Sequence, residues 1–154
     1  GSPYPLEPSP EEMRALGAAA VAFVARFVEG QPDAPASDLD EAMDVARRFR
    51  EPMPAAGAAF DELLPILAEG AAKGFNTTGP GYLAFIPGGG IYAAGLADLL
   101  ADGTNRFVNV WNAAPAFAQI EATVLRWMAD LFGLPQEAGG ILTTGGSMSI
   151  FSAS

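Results

Sequence analysis

Residues 140–154 read GILTTGGSMSIFSAS, and this stretch decides the fold. Ile141 to Thr144 predict a short buried strand, Gly145 and Gly146 a turn, and Ser147 the start of a helix. Strand, glycine turn and helix start, in that order, is how α/β proteins build an anion site. The glycines let backbone N–H groups come close to a ligand, and the helix N-terminus adds its positive end. The turn lacks the Gly-Lys-Ser/Thr ending of a Walker loop and does not match the GxGxxG dinucleotide fingerprint. A plain strand-to-helix turn with a serine cap accounts for the same residues.

Upstream, the chain supplies helices. Ser9-Pro10-Glu11-Glu12 predicts a capped start, followed at helical spacing by Met13, Leu16, Ala20, Phe23, Val24 and Phe27. Gly30-Gln31-Pro32 stops that helix. Ser37 is placed to cap a second helix, acidic early (Asp38, Asp40, Glu41) and basic late (Arg47, Arg48, Arg50), as its dipole prefers. A third runs from about Ala58 to Ala72. Residues 74–90, GFNTTGPGYLAFIPGGG, have no helical period and many turn residues. A helix resumes near Ile91, residues 106–112 (RFVNVWN) are irregular, and Pro115 opens a long helix stopped by Gly133-Leu134-Pro135. Five helices leading into one strand form an unbalanced set, because a single strand has no sheet. The expectation is the front part of something longer, with the sheet supplied downstream.

Half of the 154 residues are hydrophobic and only 17% are charged, which is globular composition. A net charge of −10, with Lys73 the one lysine beside seven arginines, makes a poor partner for nucleic acid or an anionic membrane. Without cysteine or histidine the chain has no disulfide framework, no thiolate or histidine metal site and no Ser-His-Asp or Cys-His machinery. The uncharged run 74–97 is long enough to cross a bilayer, but Gly79-Pro80-Gly81 and Pro87 to Gly90 break it. No signal peptide is visible. A soluble cytoplasmic protein is expected.

Two further segments are candidates for chemistry. In GYLAFIPGGG (81–90), Tyr82, Phe85 and Ile86 precede a loop that can wall a pocket. In NRFVNVWNAAP (105–115), Phe107 and Trp111 flank Asn109. Core packing accounts for the aromatics equally well. Glu121 is either an exposed helix residue or the partner of a buried arginine. Lys73, at a helix end among alanines, reads as a solvated surface lysine.

In this order, GYLAFIPGGG, LADLLADGTNRFVNVWNAAPAFAQIEATVLRWMADLFGLP and GGILTTGGS resemble the N-terminal part of the pyridoxal-phosphate-dependent amino-acid decarboxylases of the aromatic-L-amino-acid type (group II). The resemblance covers roughly Pro8 to Ser154 and is strongest from Gly81 onward. It implies an α/β protein, the PLP-dependent transferase fold type I. This chain would be its mainly helical N-terminal segment plus the first strand of the large domain. Residues 1–80 would be the helical dimerisation segment and 81–154 the start of the cofactor-binding large domain. The cofactor implied is pyridoxal 5'-phosphate, held at its phosphate by Thr144, Gly145, Gly146 and Ser147. Substrate-side positions matched are Phe85, Ile86, Pro87, Gly88, Phe107, Asn109 and Trp111, with Phe107 and Asn109 closing the pocket of the neighbouring subunit.

The implied reaction converts an L-amino acid to its amine and CO2. The pocket residues favour an aromatic side chain, and Arg106 as the one cation in these loops disfavours an acidic substrate. Implied partners are a second copy in a homodimer, the C-terminal remainder of the same enzyme, and the amino-acid substrate. No catalytic residue lies in this chain, since the family's Schiff-base lysine and mobile loop match no segment of it. Two departures stand out: Gly88 replaces a frequent hydroxyl residue, and Met148-Ser149-Ile150 replaces a Glu-Ala-Asn-like run. An aldehyde synthase on the same scaffold and a non-catalytic helical interaction module are the alternatives.

Overall fold

The computed structural model describes residues 6–86 and 88–154. They form two compact units, one running to Ile91 and the other spanning Tyr92–Ser154. Pro87, among the expected substrate-side residues, lies outside the described residues.

The first unit opens with α1, Pro10–Gly30, whose start is the capping box expected from sequence. Ser9 Oγ accepts from Glu12 N–H at 3.2 Å, and the Glu12 carboxylate accepts from Ser9 N–H at 2.6 Å. Two orphan donors are satisfied reciprocally. The second helix differs from expectation. Ser37 caps nothing: with Asp38 it forms β1, and α2 begins only at Ala42, after Glu41 in a left-handed conformation (φ 53°). The competing partner is β2, Gly74–Phe75, which pairs antiparallel with β1 in the register Ser37↔Phe75 and Asp38↔Gly74. Lys73 is accordingly not a free surface lysine. Its ammonium donates to Asp38 at 2.8 Å, with the two side chains only 23% and 30% exposed.

Helix α3, Phe60–Ala71, packs against α1 and α2. Its N-terminus carries half a capping box: Glu62 accepts from Ala59 N–H, but alanine has no side-chain acceptor to reciprocate. The Phe49 ring approaches Gly70 with its tip, where an added Cβ would come within 2.9 Å of Cζ. Val45 on α2 is the buried apolar residue of this unit among those described.

The second unit is built on α4, Tyr92–Thr104, and α5, Pro115–Leu131, joined through a 3-10 turn at Trp111–Ala113. Asn105, left-handed at φ 41°, ends α4. Helix α5 ends in a Schellman motif. Gly133 stands at φ 66°, its N–H donating to Asp130 C=O (3.0 Å) and that of Leu134 to Ala129 C=O (2.9 Å). Glycine carries the left-handed residue without a Cβ penalty. Beyond it the Arg126 guanidinium fans over the next loop, donating to the carbonyls of Leu134, Pro135, Gln136 and Ala138 while it also binds Asp130.

Residues 141–144, expected as a strand, make no strand pairing among the described residues, and Ile141 and Leu142 are exposed. A strand exists through its ladder to a neighbour, and this segment has none here. The chain then enters α6, Gly146–Ala153.

Candidate functional site

Helix α6 starts one residue before Ser147. Gly145 is the N-cap, with φ 107° and ψ 167°, a region open in practice only to glycine. Because glycine has no side chain, no cap bond forms. Ser149 N–H donates to Gly145 C=O at 3.1 Å and is the first donor the helix satisfies. The N–H groups of Gly146, Ser147 and Met148 have no partner among the described residues. Ser147 sits at the second helical position rather than at the cap. Its hydroxyl is exposed and makes no hydrogen bond among the described residues. A serine that only capped the helix would be accepting a backbone N–H; this one is free for a ligand.

Three convergent N–H groups, a free hydroxyl and the positive end of a helix suit a multiply charged oxyanion such as a phosphate ester. Nothing lies within 4 Å of where a Cβ on Gly146 would stand, so the approach is open. Thr144 is exposed beside the turn, without a hydrogen bond to it. Thr143 does bond to the turn, donating to Gly145 C=O at 3.3 Å and lying 2.5 Å from the Ser149 hydroxyl. Neither Thr143 nor Ser149 stands out in the sequence as a site residue, though the departure at Met148-Ser149-Ile150 marks the place.

The expected substrate-side residues divide between the units. Phe85, Ile86 and Gly88 belong to the first and are exposed, Phe85 at a left-handed φ of 60°. Phe107, Asn109 and Trp111 belong to the second and are exposed as well. None of these aromatics is core in this chain. Glu121 is half-buried on α5 and pairs with no arginine among the described residues. An open cavity of about 600 Å3 in the first unit, lined by Phe23, Phe27, Leu64 and Phe75, contains no candidate site residue.

Residues 45–154 match the family described as the pyridoxal-dependent decarboxylase conserved domain. The chain is similar to an aromatic-L-amino-acid decarboxylase of Bacillus atrophaeus, 33% identical over 149 residues, which make up 96% of this chain and 31% of that protein. It is also similar to L-tyrosine/L-DOPA decarboxylase 2 of Lophophora williamsii, 26% identical over 86% of this chain and 27% of the relative. The chain thus spans less than a third of the length of these relatives. Among solved structures, the 4-hydroxyphenylacetaldehyde synthase of Rhodiola rosea superposes with a TM-score of 0.74 at 21% identity, over 86% of this chain and 28% of its own, a likeness of fold. The tryptophan decarboxylase of Catharanthus roseus, in complex with L-tryptophan, superposes with a TM-score of 0.71 at 25% identity, over 86% and 27%. The mainly helical architecture is that of the N-terminal segment of fold type I. With the family match taking in the glycine turn and α6, the chain belongs to the pyridoxal-dependent decarboxylases.

Proposed function

We propose that this chain is the N-terminal part of an enzyme that converts an aromatic L-amino acid to its amine and CO2. The observation that carries the reading is the α6 N-terminus, with its free donors inside the family match. Gly146 and Ser147 would hold the phosphate of pyridoxal 5'-phosphate through their N–H groups and the Ser147 hydroxyl, with Thr144 beside them. When bound, the cofactor supplies the electron sink for the bond that is broken. The chain's own part is to anchor one end of that group and to offer apolar walls. Phe85, Ile86, Phe107 and Trp111 are uncharged and solvent-facing in this chain, available to an aromatic substrate and able to exclude water once covered. The named activities of the relatives, on tyrosine, DOPA and aromatic L-amino acids, support that substrate class.

The reading extends to a cytoplasmic homodimer, with residues 1–80 as the dimerisation segment and 81–154 as the start of the cofactor-binding domain. Apolar residues left exposed along α1, among them Met13, Val21, Val24 and Val28, support a partner surface there. Light scattering of the full-length enzyme tests the dimer, and a stable monomer would refute it.

The cofactor site is tested by Ser147→Ala in the full-length enzyme. Loss of one charge-assisted hydrogen bond, about 1.5–3 kcal/mol, should weaken cofactor affinity about tenfold or more. Unchanged affinity with lower thermal stability would reduce Ser147 to a structural residue. Product analysis with L-tyrosine or L-tryptophan completes the test: an amine is expected, and an aldehyde would select the aldehyde synthase instead.

A further inference from the structure

The Gly145 carbonyl accepts twice, from Ser149 N–H at 3.1 Å and from the Thr143 hydroxyl at 3.3 Å. A hydroxyl has one proton to give. With the Thr143 proton committed to Gly145, the 2.5 Å contact between Thr143 and Ser149 is Ser149 donating. The result is a closed ring: Ser149 Oγ–H to Thr143, Thr143 Oγ1–H to Gly145 C=O, and Ser149 N–H to the same carbonyl. That carbonyl shares a rigid plane with the N–H of Gly146, and in a trans peptide the two point in opposite directions. Holding the carbonyl toward the helix therefore aims the Gly146 N–H out of the helix N-terminus. The plane needs holding, because it is flanked by glycine on both sides and no other peptide type turns so freely.

We propose that Thr143 and Ser149 are positioning residues of the anion site, locking the Gly145–Gly146 peptide so that the Gly146 N–H is preorganised toward a phosphate. The proposal rests on the reading of the α6 N-terminus as the cofactor-phosphate site. Both hydroxyls act through the Gly145 carbonyl, while Ser147 stays outside the ring and keeps its own hydroxyl free.

The experiment uses the full-length enzyme stripped of cofactor and titrated with pyridoxal 5'-phosphate and, in competition, inorganic phosphate. Thr143→Val and Ser149→Ala should each weaken both ligands about three- to tenfold, the scale of one neutral hydrogen bond. The double variant should lose no more than either single one, because each breaks the same ring. Ser149→Thr and Thr143→Ser keep the hydroxyls and should restore affinity. Additive losses, losses confined to thermal stability, or hydroxyl-retaining variants as weak as the deletions would overturn the proposal. Ser147→Ala serves as the control. If it leaves affinity intact, the phosphate reading itself fails. If it weakens binding while Thr143→Val and Ser149→Ala do not, the brace alone fails.

Discussion

At the scale of single residues, Gly145 and Gly146 have different reasons to be glycine. Gly145 stands at φ 107° and ψ 167°, and a side chain there strains the backbone whatever the ligand does. Gly145→Ala should lower stability by about 1–3 kcal/mol, read as a drop in the melting temperature of the cofactor-free enzyme. Gly146 has helical backbone and open space at its Cβ position. Gly146→Ala should leave the cofactor-free melting temperature nearly unchanged and weaken cofactor binding, since its methyl group would stand where the phosphate approaches. Equal stability losses for the two variants would count against this assignment. Arg126 makes a second residue-scale case. Its side chain is 25% exposed and spans four carbonyls of residues 134–138. Arg126→Ala should cost about 2 kcal/mol through lost charge-assisted bonds, and lysine, with no planar fork, should rescue little. The glycine turn was legible in the sequence because residue type itself carries the conformational demand. The Thr143–Ser149 contact and the Arg126 fan were not. The first joins hydroxyls six positions apart across a turn, and the second binds backbone carbonyls, which every residue has.

At the scale of elements, the helices announce themselves by their ends. The Ser9 capping box, Pro10, Pro115 and the Gly133 stop each place a residue type where only the start or end of a helix favours it. The pairing of β1 with β2 left no such mark. Two residues each, paired across 38 and 36 positions (Ser37↔Phe75, Asp38↔Gly74), show no alternation to read, so Ser37 reads as a cap. Residues 141–144 failed in the opposite sense, since an apolar run promises a strand only where a neighbouring strand exists to complete it. The Lys73–Asp38 pair ties the end of α3 to β1 and carries a pH signature. The hydrogen bond from Lys73 holds the Asp38 carboxyl below the ordinary aspartate range, and the same bond raises the Lys73 ammonium above the ordinary lysine range. A lowered carboxyl contributes stability above its unfolded value and loses it as pH falls through the folded one. A raised ammonium contributes below its unfolded value and loses it as pH rises through the folded one. The β1–β2 pairing should thus be firmest between roughly pH 4 and pH 10. Amide exchange at Asn76, whose N–H donates to Ala36 C=O at 3.0 Å, reports on it. Corrected for intrinsic exchange, its protection should fall toward acid in the parent enzyme and stay flat in Asp38→Asn.

At the scale of the whole molecule, the chain exposes 12687 Å2, against roughly 9,000 Å2 for two separate compact globules of these lengths. Large apolar side chains contribute to it. Val45, Ala114 and Ala129 are the buried hydrophobic residues among those described, whereas Phe132 is 81% exposed, Leu131 85% and Ile150 71%. Monomeric soluble proteins do not leave apolar surface on this scale uncovered; it marks faces made for other protein. The chain spans less than a third of the length of its relatives, and the proposed full-length enzyme would have further chain with which to cover these faces. Burial is therefore what the sequence of this segment alone could least reveal. Phe107, Trp111 and Trp127 have the composition of core, yet each is more than half exposed. Residues 1–154 expressed alone should bind a hydrophobic dye, melt without a cooperative transition, and present both tryptophans, 60% and 63% exposed, to acrylamide. Added back to the remainder of the enzyme, the same residues should lose dye binding and shield Trp111 and Trp127 from the quencher. A sharp two-state melt of the isolated monomer, with its tryptophans protected and the dye silent, would show that the segment builds a core of its own.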